Sequence, residues 1–407
     1  MVTQLMLPLK LYDETEGFCL AIETLSSRST NGPRQIIGWL SWTHFLNDGI
    51  VNYLPGILPF MLAERHVPET LAGGFMTALL LAQGLQPLSG WLADRMGGRV
   101  MVLGGVALST ISAALVGWAH PIWLLILLLI FTGIGNTAFH PQALSITRRN
   151  VGARQGAVMS VFLVGGEIGR SLGPLAAGLI VHSLGLPWLW LLAMPLLVTY
   201  PFVLKVIPPA EKKPRQNAAI AFNRHLKPGL SLLCYAVVRS ATTYEMATLA
   251  PILWHQHGGS LVTGSALVTV LIGVGIVGNI IGGTLNDRFG KGTVLVGTSI
   301  LAIVSLIGFA TLSGFWIWPS LGVMGIALFG SSSTTMLIGQ DIFSENPGLG
   351  SGVALGLANG LGAIMVIPLT YIAGHFSSQV TVGILALLTL ITIPAIYGMP
   401  LKRKEIR

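Results

Sequence analysis

Three polar residues interrupt a long apolar stretch near the start of the chain. His44 and Asp48 are four residues apart, so on a helix they share one face, and Asn47 lies beside them. A carboxylate in the middle of a membrane span costs about 2.5–3.5 kcal/mol on insertion scales, so it should face a cavity or a partner. The pattern therefore indicates either a proton-exchanging group or a group that only fixes helix packing.

Two further pairs of ionisable residues lie within apolar stretches. Glu167 and Arg170 are three residues apart and can neutralise each other, whereas Arg239 and Glu245 are six apart and lie on different faces of their helix. Three carboxylates against two guanidiniums leave one carboxylate unmatched if all are ionised and the histidines are neutral, and desolvation favours its protonated form. We therefore expect Asp48 to be the leading proton carrier, with Glu245 next. The candidates for proton coupling are Asp48, Glu245, Glu167 and His44.

A second histidine lies in a helix-forming stretch with the sequence GIGNTAFHPQA. Asn136 and His140 are four residues apart and share one face. A metal role for His140 would need partner ligands, and a lone histidine is more often a hydrogen-bonded helix residue, so we expect no metal. The residues expected to bind a substrate are Asn47, Asn136, His140, Arg170, Arg239, Ser332 and Thr335.

The composition places these residues in a membrane protein. Of the 407 residues, 52% are hydrophobic and only 9% are charged, which excludes a soluble protein. A helix needs about 20 apolar residues to cross a bilayer. Twelve such spans are predicted, roughly at residues 36–62, 70–92, 100–118, 121–146, 154–182, 187–207, 229–255, 262–285, 293–312, 316–338, 351–373 and 380–399.

The basic residues predict how these spans are oriented. With a cytoplasmic N-terminus, all of the 23 Lys and Arg residues except Arg65, Arg170 and Arg239 lie in cytoplasmic segments. This is a strong positive-inside bias, and it predicts that both termini are cytoplasmic. The net charge of +8 is thus explained by topology and contacts with lipid headgroups, and it does not indicate nucleic-acid binding.

One short charged loop occurs twice. The string G-x-L-x-D-R-x-G begins at Gly90 and again at Gly283, an offset of about half the chain, and each copy separates two apolar spans. This repeat indicates internal duplication. We expect both loops to act in gating, through Gly90, Asp94, Arg95, Gly97 and Arg99 in the first copy and Gly283, Asp287, Arg288, Gly290 and Lys291 in the second.

The repeated loop resembles the signature loop of the major facilitator superfamily, in which two six-helix halves each keep a copy. The fifth span adds a second resemblance, because its string Gly169-xxx-Gly173-Pro174-xxx-Gly178 is similar to a motif of antiporters in that superfamily. We expect these glycines to permit close packing at the seam between the halves. The strings HFLND, FHP, VGG and LGP are similar to those of the fosmidomycin-resistance branch.

The resemblance implies an all-α integral membrane fold of twelve helices in two halves related by a pseudo-twofold axis. The expected parts are a cytoplasmic tail (1–35), two six-helix halves (36–207 and 229–400), a cytoplasmic linker (208–228) and a short tail (401–407). The expected function is alternating-access transport without enzymatic activity, most readily proton-coupled efflux of a small organic or anionic drug-like molecule by a monomer in the inner membrane.

Two alternatives remain open at this point. One is proton-coupled or facilitated uptake of an organic acid or another small metabolite on the same fold. The other is a membrane-embedded enzyme that holds a metal between His44, Asp48 and His140. No nucleotide-binding loop, HExxH or GxSxG string is present, so we expect no cofactor. The expected partners are the substrate, protons and membrane lipid.

Overall fold

The computed structural model describes residues 32–86, 88–89, 92, 97–150, 155–208, 225–344 and 347–401. Gly90, Asp94 and Arg95 of the first repeated loop, most of the N-terminal tail and most of the linker lie outside the described residues. Within these residues, twelve helical spans cover the predicted apolar stretches in the predicted order, and they confirm the expected fold class. Eight of these spans are long and apolar enough to cross a membrane on length and composition alone.

The first six spans form the N-terminal half. They comprise α1 (Pro33–Val51 and Leu54–Glu64), α2 (Ala72–Leu80, extended by 3-10 turns at Glu69–Leu71 and Leu81–Leu85), α3 (Gly98–Leu115), α4 (Ile122–Asn150), α5 (Gln155–Leu184) and α6 (Met194–Val206, after a 3-10 segment at Leu186–Ala193). The break in α1 follows from Pro55, which lacks the amide hydrogen that would continue the ladder.

The last six spans form the C-terminal half. They comprise α7 (Leu226–Gln256), α8 (Leu261–Phe289), α9 (Lys291–Thr311), α10 (Ile317–Gly330 and Ser332–Ile342), α11 (Pro347–Ser351 and Ala358–His375, joined by a π-helical turn at Gly352–Leu357) and α12 (Ser378–Ile396). Because the number of spans is even, α1 begins and α12 ends at the same face of the molecule. We call this the terminal face and its opposite the far face.

The two repeated loops have the same backbone conformation at one position. Gly97 and Gly290 have φ angles of 90° and 87°, and each immediately precedes the helix that follows its loop. A residue with a Cβ rarely adopts such angles, so both copies need glycine there. Beyond the first loop, the Arg99 side chain donates to the carbonyl of Leu204 on α6.

In the second loop, Lys291 pairs with Asp341 at the end of α10. This pair lies within the C-terminal half, so in this conformation it fixes a helix end and does not join the two halves. The Asp341 side chain is 54% exposed, and exposed pairs of this kind contribute only about 0–1 kcal/mol.

The glycines of α5 pack mainly against α1, and this corrects the expectation that they form the seam between halves. A Cβ on Gly169 or Gly173 would overlap the α1 backbone at Phe45 or Gly49, and both helices belong to the N-terminal half. Gly178 has a different neighbour, because a Cβ there would overlap the side chain of Ser265 on α8, in the other half. One motif therefore serves two interfaces, since its residues lie on two sides of the same helix.

The two halves meet along α1, α2 and α5 on one side and α7, α8 and α11 on the other. Neutral hydroxyls make several of these contacts by donating to backbone carbonyls of the opposite half. Thr77 donates to Ala363 at 2.6 Å, and Ser265 donates to Gly56 at 2.6 Å. We call these bonds the hydroxyl latches. A third one joins Thr269 Oγ1 to the carbonyl of Ser171 at 2.7 Å.

Candidate functional site

A buried polar cluster lies where α1, α4 and α5 meet. His140 Nε2 lies 3.1 Å from Asp48 Oδ1, and His44 Nε2 lies 3.5 Å from Asp48 Oδ2. The two Nε2 atoms are 3.3 Å apart. Arg170 approaches Asp48 Oδ2 at 3.6 Å, and its other amino group lies 3.6 Å from Glu167 Oε1. The helix pairing thus brings together five ionisable groups that the sequence distributes over three spans.

Backbone carbonyls fix the ring orientation of both histidines. The Nδ1 atom of His44 lies 2.8 Å from the carbonyl oxygen of Phe162, and that of His140 lies 3.0 Å from the carbonyl oxygen of Asn136. Because a carbonyl can only accept, each Nδ1 carries the hydrogen and each neutral ring presents a lone pair at Nε2. Gly166 admits the His44 ring, since a Cβ there would overlap it.

The geometry removes the reason for ranking Asp48 first among the proton carriers. That ranking assumed that Arg170 was occupied by Glu167 and that Asp48 had only His44 and Asn47 beside it. In the structure Arg170 lies equally close to both carboxylates, and His140 adds a third neighbour to Asp48. Sequence spacing could not show this, because the contacts cross from α1 to α4 and α5.

Glu245 is the carboxylate that lacks a cation. It is completely buried on α7, where its Oε2 accepts a hydrogen bond of 2.9 Å from Thr370 of α11. Its Oε1 has no hydrogen-bond partner, and no ion pair of Glu245 occurs among the described residues. Burial disfavours the charged form of such a group, so Glu245 is the best candidate for a carboxyl that holds a proton.

Arg239 lies on α7 with hydroxyl partners. It donates to Ser332 Oγ at 3.1 Å and to Ser240 Oγ at 3.3 Å, and its Nε has no partner. Arg239 also interacts electrostatically with Arg170 and Glu167 of the opposite half. Two guanidiniums from different halves therefore lie near each other, and we call the space between Arg170 and Arg239 the central region. The guanidinium of Arg239 is not paired with a carboxylate within the described part of the chain.

Three of the expected substrate-binding side chains are buried in helix contacts. Asn47 donates to Asn136 Oδ1 at 2.8 Å and accepts from Ser109 at 2.8 Å, and both amides are at most 5% exposed. Thr335 is fully buried and donates to the carbonyl of Ser332 in its own helix. A solute cannot reach these groups in this conformation, whereas His140, Arg170, Arg239 and Ser332 are partly exposed.

The structure adds a polar group that the sequence analysis missed. Gln83 of α2 accepts at Oε1 from Tyr244 at 3.2 Å and from Asn359 of α11 at 3.1 Å. Asn359 in turn accepts from Ser240 at 2.7 Å. This chain of bonds joins the two halves beside Arg239. The available signal was one polar residue in each of two otherwise apolar stretches, LLLAQGL and GLANGLG.

One protein family and two individual relatives each match most of this chain. Residues 40–367 match the family described as Major Facilitator Superfamily. The chain is 25% identical over 392 residues to the fosmidomycin resistance protein of Escherichia coli (strain K12), covering 93% of this chain and 95% of that protein. It is 27% identical over 325 residues to the multidrug resistance protein MdtG of Proteus mirabilis (strain HI4320), with 74% and 80% coverage.

Solved structures show the same fold. The nucleoside transporter NupG superposes with a TM-score of 0.75 at 14% sequence identity, covering 89% of this chain and 98% of that one. A bacterial homologue of the human lysosomal transporter Spinster, in an inward-facing and occupied conformation, gives a TM-score of 0.70 at 14% identity. That comparison covers 91% of this chain and 97% of the homologue. At these identities the likeness concerns the fold alone.

Proposed function

The chain belongs to the major facilitator superfamily, and from that premise we propose that it is a proton-coupled transporter that exports a small organic anion by alternating access. The antiporter-like motif of α5 supports export, and so do the relatives whose names refer to drug resistance. In this fold the two halves rock around a site near the middle of the bilayer. The central region between Arg170 and Arg239 corresponds to that position.

The observation that carries the proton coupling is the burial of Glu245 without a cation. Glu245 lies on α7, and Thr370, its one hydrogen-bond partner among the described residues, also packs against Gly73 of α2. The carboxyl is therefore enclosed where the two halves touch on the far-face side. A charged carboxylate there would lose its hydration without gaining a partner, so closure of the far face favours a proton on Glu245. Opening that face hydrates the group, so a proton enters from the far side before the halves close over it, and it leaves toward the terminal side as substrate is exported.

The anionic character of the substrate follows from Arg239. Its guanidinium is partly exposed, points to the central region and has only hydroxyl partners among the described residues. A guanidinium forms strong paired hydrogen bonds with carboxylates and phosphate-like groups. Partial neutralisation of Arg170 by Asp48 and Glu167 leaves Arg239 as the stronger anion-binding group. Uptake of an organic acid would use the same contacts, and only the direction of flux separates the two functions.

The deciding variant is Glu245→Gln, which keeps the size of the side chain but cannot exchange a proton. In inverted vesicles with an imposed gradient of one pH unit, one coupled proton supports about a tenfold accumulation of substrate. We expect the variant to reduce that ratio to about one while it still exchanges labelled for unlabelled substrate. The screen should include phosphonate-like compounds, organic acids and cationic drugs.

The control for this experiment is Glu64→Gln, because Glu64 is exposed at the end of the second α1 helix. It should transport like the unmodified protein. Accumulation against the gradient by the Glu245 variant would remove Glu245 from the coupling mechanism. Loss of both accumulation and exchange would show instead that the substitution damages the transport cycle as a whole.

We also propose that the terminal face is cytoplasmic and that the protein lies in the inner membrane. The support is the distribution of Lys and Arg along the sequence. A topology reporter fused after Arg407, and another inserted in the 208–228 linker, should both report the cytoplasm. A reporter in the Gly258–Gly259 turn at the far face should report the opposite side. A periplasmic signal from either of the first two fusions would overturn this orientation.

A further inference from the structure

The most unusual chemical arrangement in the described part of the chain is the convergence of His44, Asp48 and His140. Their ligand atoms all lie within 4.8 Å of one another, and all three come from the interior of the N-terminal half. Along the sequence His140 has no neighbouring ligand, so a metal held between these three residues was only an alternative, as part of a membrane-embedded enzyme, and no metal was expected. The fold supplies two such ligands from α1, which removes that objection.

Two of the separations between ligand atoms match the edges of a tetrahedron. Zinc binds histidine nitrogen at about 2.0–2.1 Å and carboxylate oxygen at about 2.0–2.2 Å, so neighbouring ligands in a tetrahedral site lie about 3.3 Å apart. Here the two Nε2 atoms are 3.3 Å apart and His140 Nε2 lies 3.1 Å from Asp48 Oδ1, whereas His44 Nε2 lies 3.5 Å from the other carboxylate oxygen, Oδ2. A rotation of the Asp48 carboxylate, or coordination through both of its oxygens, is then needed for one ion to contact all three groups.

The hydrogen bonds behind the histidines also favour a cation. Each ring donates Nδ1–H to a backbone carbonyl, of Phe162 for His44 and of Asn136 for His140. This is the usual way in which a protein orients a metal-binding histidine and raises its basicity. It directs two Nε2 lone pairs at each other and at the carboxylate. Two lone pairs and a carboxylate that face one another attract a cation to the space among them.

We propose that His44, Asp48 and His140 bind one divalent transition-metal ion of the zinc type. Two imidazoles and one carboxylate form a ligand set that Zn²⁺ accepts, whereas Mg²⁺ and Ca²⁺ prefer oxygen ligands. The nearby charge of Arg170 does not prevent binding, because it approaches Asp48 through Oδ2 and is offset by Glu167. Oδ1, on the other side of the carboxylate, faces His140 and is available to the metal.

The site has one open coordination position, and it faces the central region. The His44 and Asp48 side chains are 6% and 2% exposed, whereas those of His140 and Arg170 are 21% and 32% exposed. An incoming ligand therefore reaches the ion from the side of His140 and Arg170. Water or an anionic oxygen of a solute fills the fourth position there. All three protein ligands belong to one half, so the ion stabilises α1 against α4 without locking the two halves together.

The test is direct metal binding to the purified full-length protein in detergent, prepared with a tag that contains no histidine. The protein is stripped with a chelator and titrated with Zn²⁺ by calorimetry, with Mg²⁺ as the comparison ion. Co²⁺ then serves as a coloured probe, because its visible spectrum distinguishes four-coordinate from six-coordinate sites. We expect one Zn²⁺ per chain, no binding of Mg²⁺ and a four-coordinate Co²⁺ spectrum.

His140→Gln is the main variant, since His140 is the least buried ligand. Changes outside the ligand shell already cost about 10–100-fold in metal affinity, so loss of a ligand should cost more than about 100-fold. The matched control is His375→Gln, because His375 also donates Nδ1–H to a carbonyl four residues earlier but lies exposed on α11. It should bind Zn²⁺ like the unmodified protein. Asp48→Asn and His44→Gln should lose binding as His140→Gln does.

Two results would overturn the proposal. The first is a protein that retains no Zn²⁺, which would mean that the three groups share a proton instead. The second is Zn²⁺ binding that all three ligand variants keep, which would assign the ion to surface histidines. Thermal unfolding of each variant checks its folding, and Zn²⁺ should raise the unfolding temperature only where the site is intact. Since binding is measured without transport, the result is independent of the role proposed for Glu245.

Discussion

At the scale of single residues, the two guanidiniums of the central region differ in what surrounds them. Arg170 lies 3.6 Å from both Asp48 and Glu167. Arg239 has the hydroxyls of Ser332 and Ser240 as its hydrogen-bond partners. A solute anion gains more from a guanidinium that is not already neutralised. Arg239 should therefore determine affinity for anions, and Arg170 should mainly balance charge within the N-terminal half.

Arg239→Gln tests this difference. Hydrogen bonds to charged groups contribute about 1.5–3 kcal/mol, which corresponds to roughly 10–100-fold in affinity. We expect the variant to weaken binding of an anionic substrate by that factor and to leave an uncharged analogue nearly unaffected, as measured by competition in proteoliposomes. Arg65→Gln is the control, because Arg65 lies in the turn after α1 and contacts His120 and Gly117. Equal losses for the charged and uncharged compounds would show that Arg239 has a structural role.

Residue spacing predicted contacts within one helix but not those between helices. His44 and Asp48 share a face of α1, as four-residue spacing predicts, and their side chains lie 3.5 Å apart. The approach of His140 at 3.1 Å depends on how α4 packs against α1, and no spacing in the sequence contains that information. For the same reason, the sequence could not predict the contact of Gln83 with Asn359, which joins two different helices.

At the scale of helices, α1 and α5 are held together by close backbone contact. A Cβ on Gly173 would overlap the carbonyl of Gly49, and one on Gly56 would overlap that of Pro174. Without a hydrophobic effect between helices in lipid, such contact supplies much of the association energy. The motif in α5 predicted that its glycines pack closely, but the identity of the partner helix could not be read from it.

Gly173→Ala should destabilise this helix pair, because the added methyl group has no space. Overpacking of a well-packed site costs about 1–3 kcal/mol. We expect a lower midpoint of thermal unfolding in detergent, with the C-terminal half unaffected in limited proteolysis. Gly74→Ala on α2 is the matched control, since nothing lies within 4 Å of the position of its added Cβ. It should be neutral or slightly stabilising, because alanine favours helix more than glycine. Equal stability of the two variants would contradict the packing described here.

At the scale of the whole molecule, the far face is closed by contacts between the halves. One of these contacts can be cross-linked to test whether the halves must move apart at this face. The ideal Cβ position of Gly374 lies 3.6 Å from Cβ of Thr70. That separation suits a disulfide. The double variant Thr70→Cys with Gly374→Cys, made after Cys19 and Cys234 are replaced by serine, should cross-link under oxidation. We expect transport to stop on oxidation and to return on reduction.

The single-cysteine variants are the controls, and oxidation should leave their transport unchanged. Continued transport by a fully cross-linked protein would show that the far face does not open during the cycle. Quantifying the cross-linked fraction by the reactivity of the remaining thiols is therefore part of the measurement.

The overall architecture was the most predictable property, because it depends on patterns that persist along the whole chain. Twelve apolar stretches and a duplicated loop predicted the fold, and Gly97 and Gly290 confirm the repeat in their backbone angles. The domain boundaries and the orientation in the membrane stay predictions. The break in α1 was not predicted, although Pro55 marks it in the sequence, and the π-helical turn in α11 was not predicted because it depends on local backbone geometry.

The hydroxyl latches have a consequence for how the conformational equilibrium responds to its surroundings. Thr77, Ser265 and Thr269 close the far side through neutral groups on backbone carbonyls. When that side opens, each bond is exchanged for bonds to water, at a net cost of only about 0.5–1.5 kcal/mol. Because no formal charges separate in these bonds, ionic strength should hardly alter the ratio of open to closed molecules.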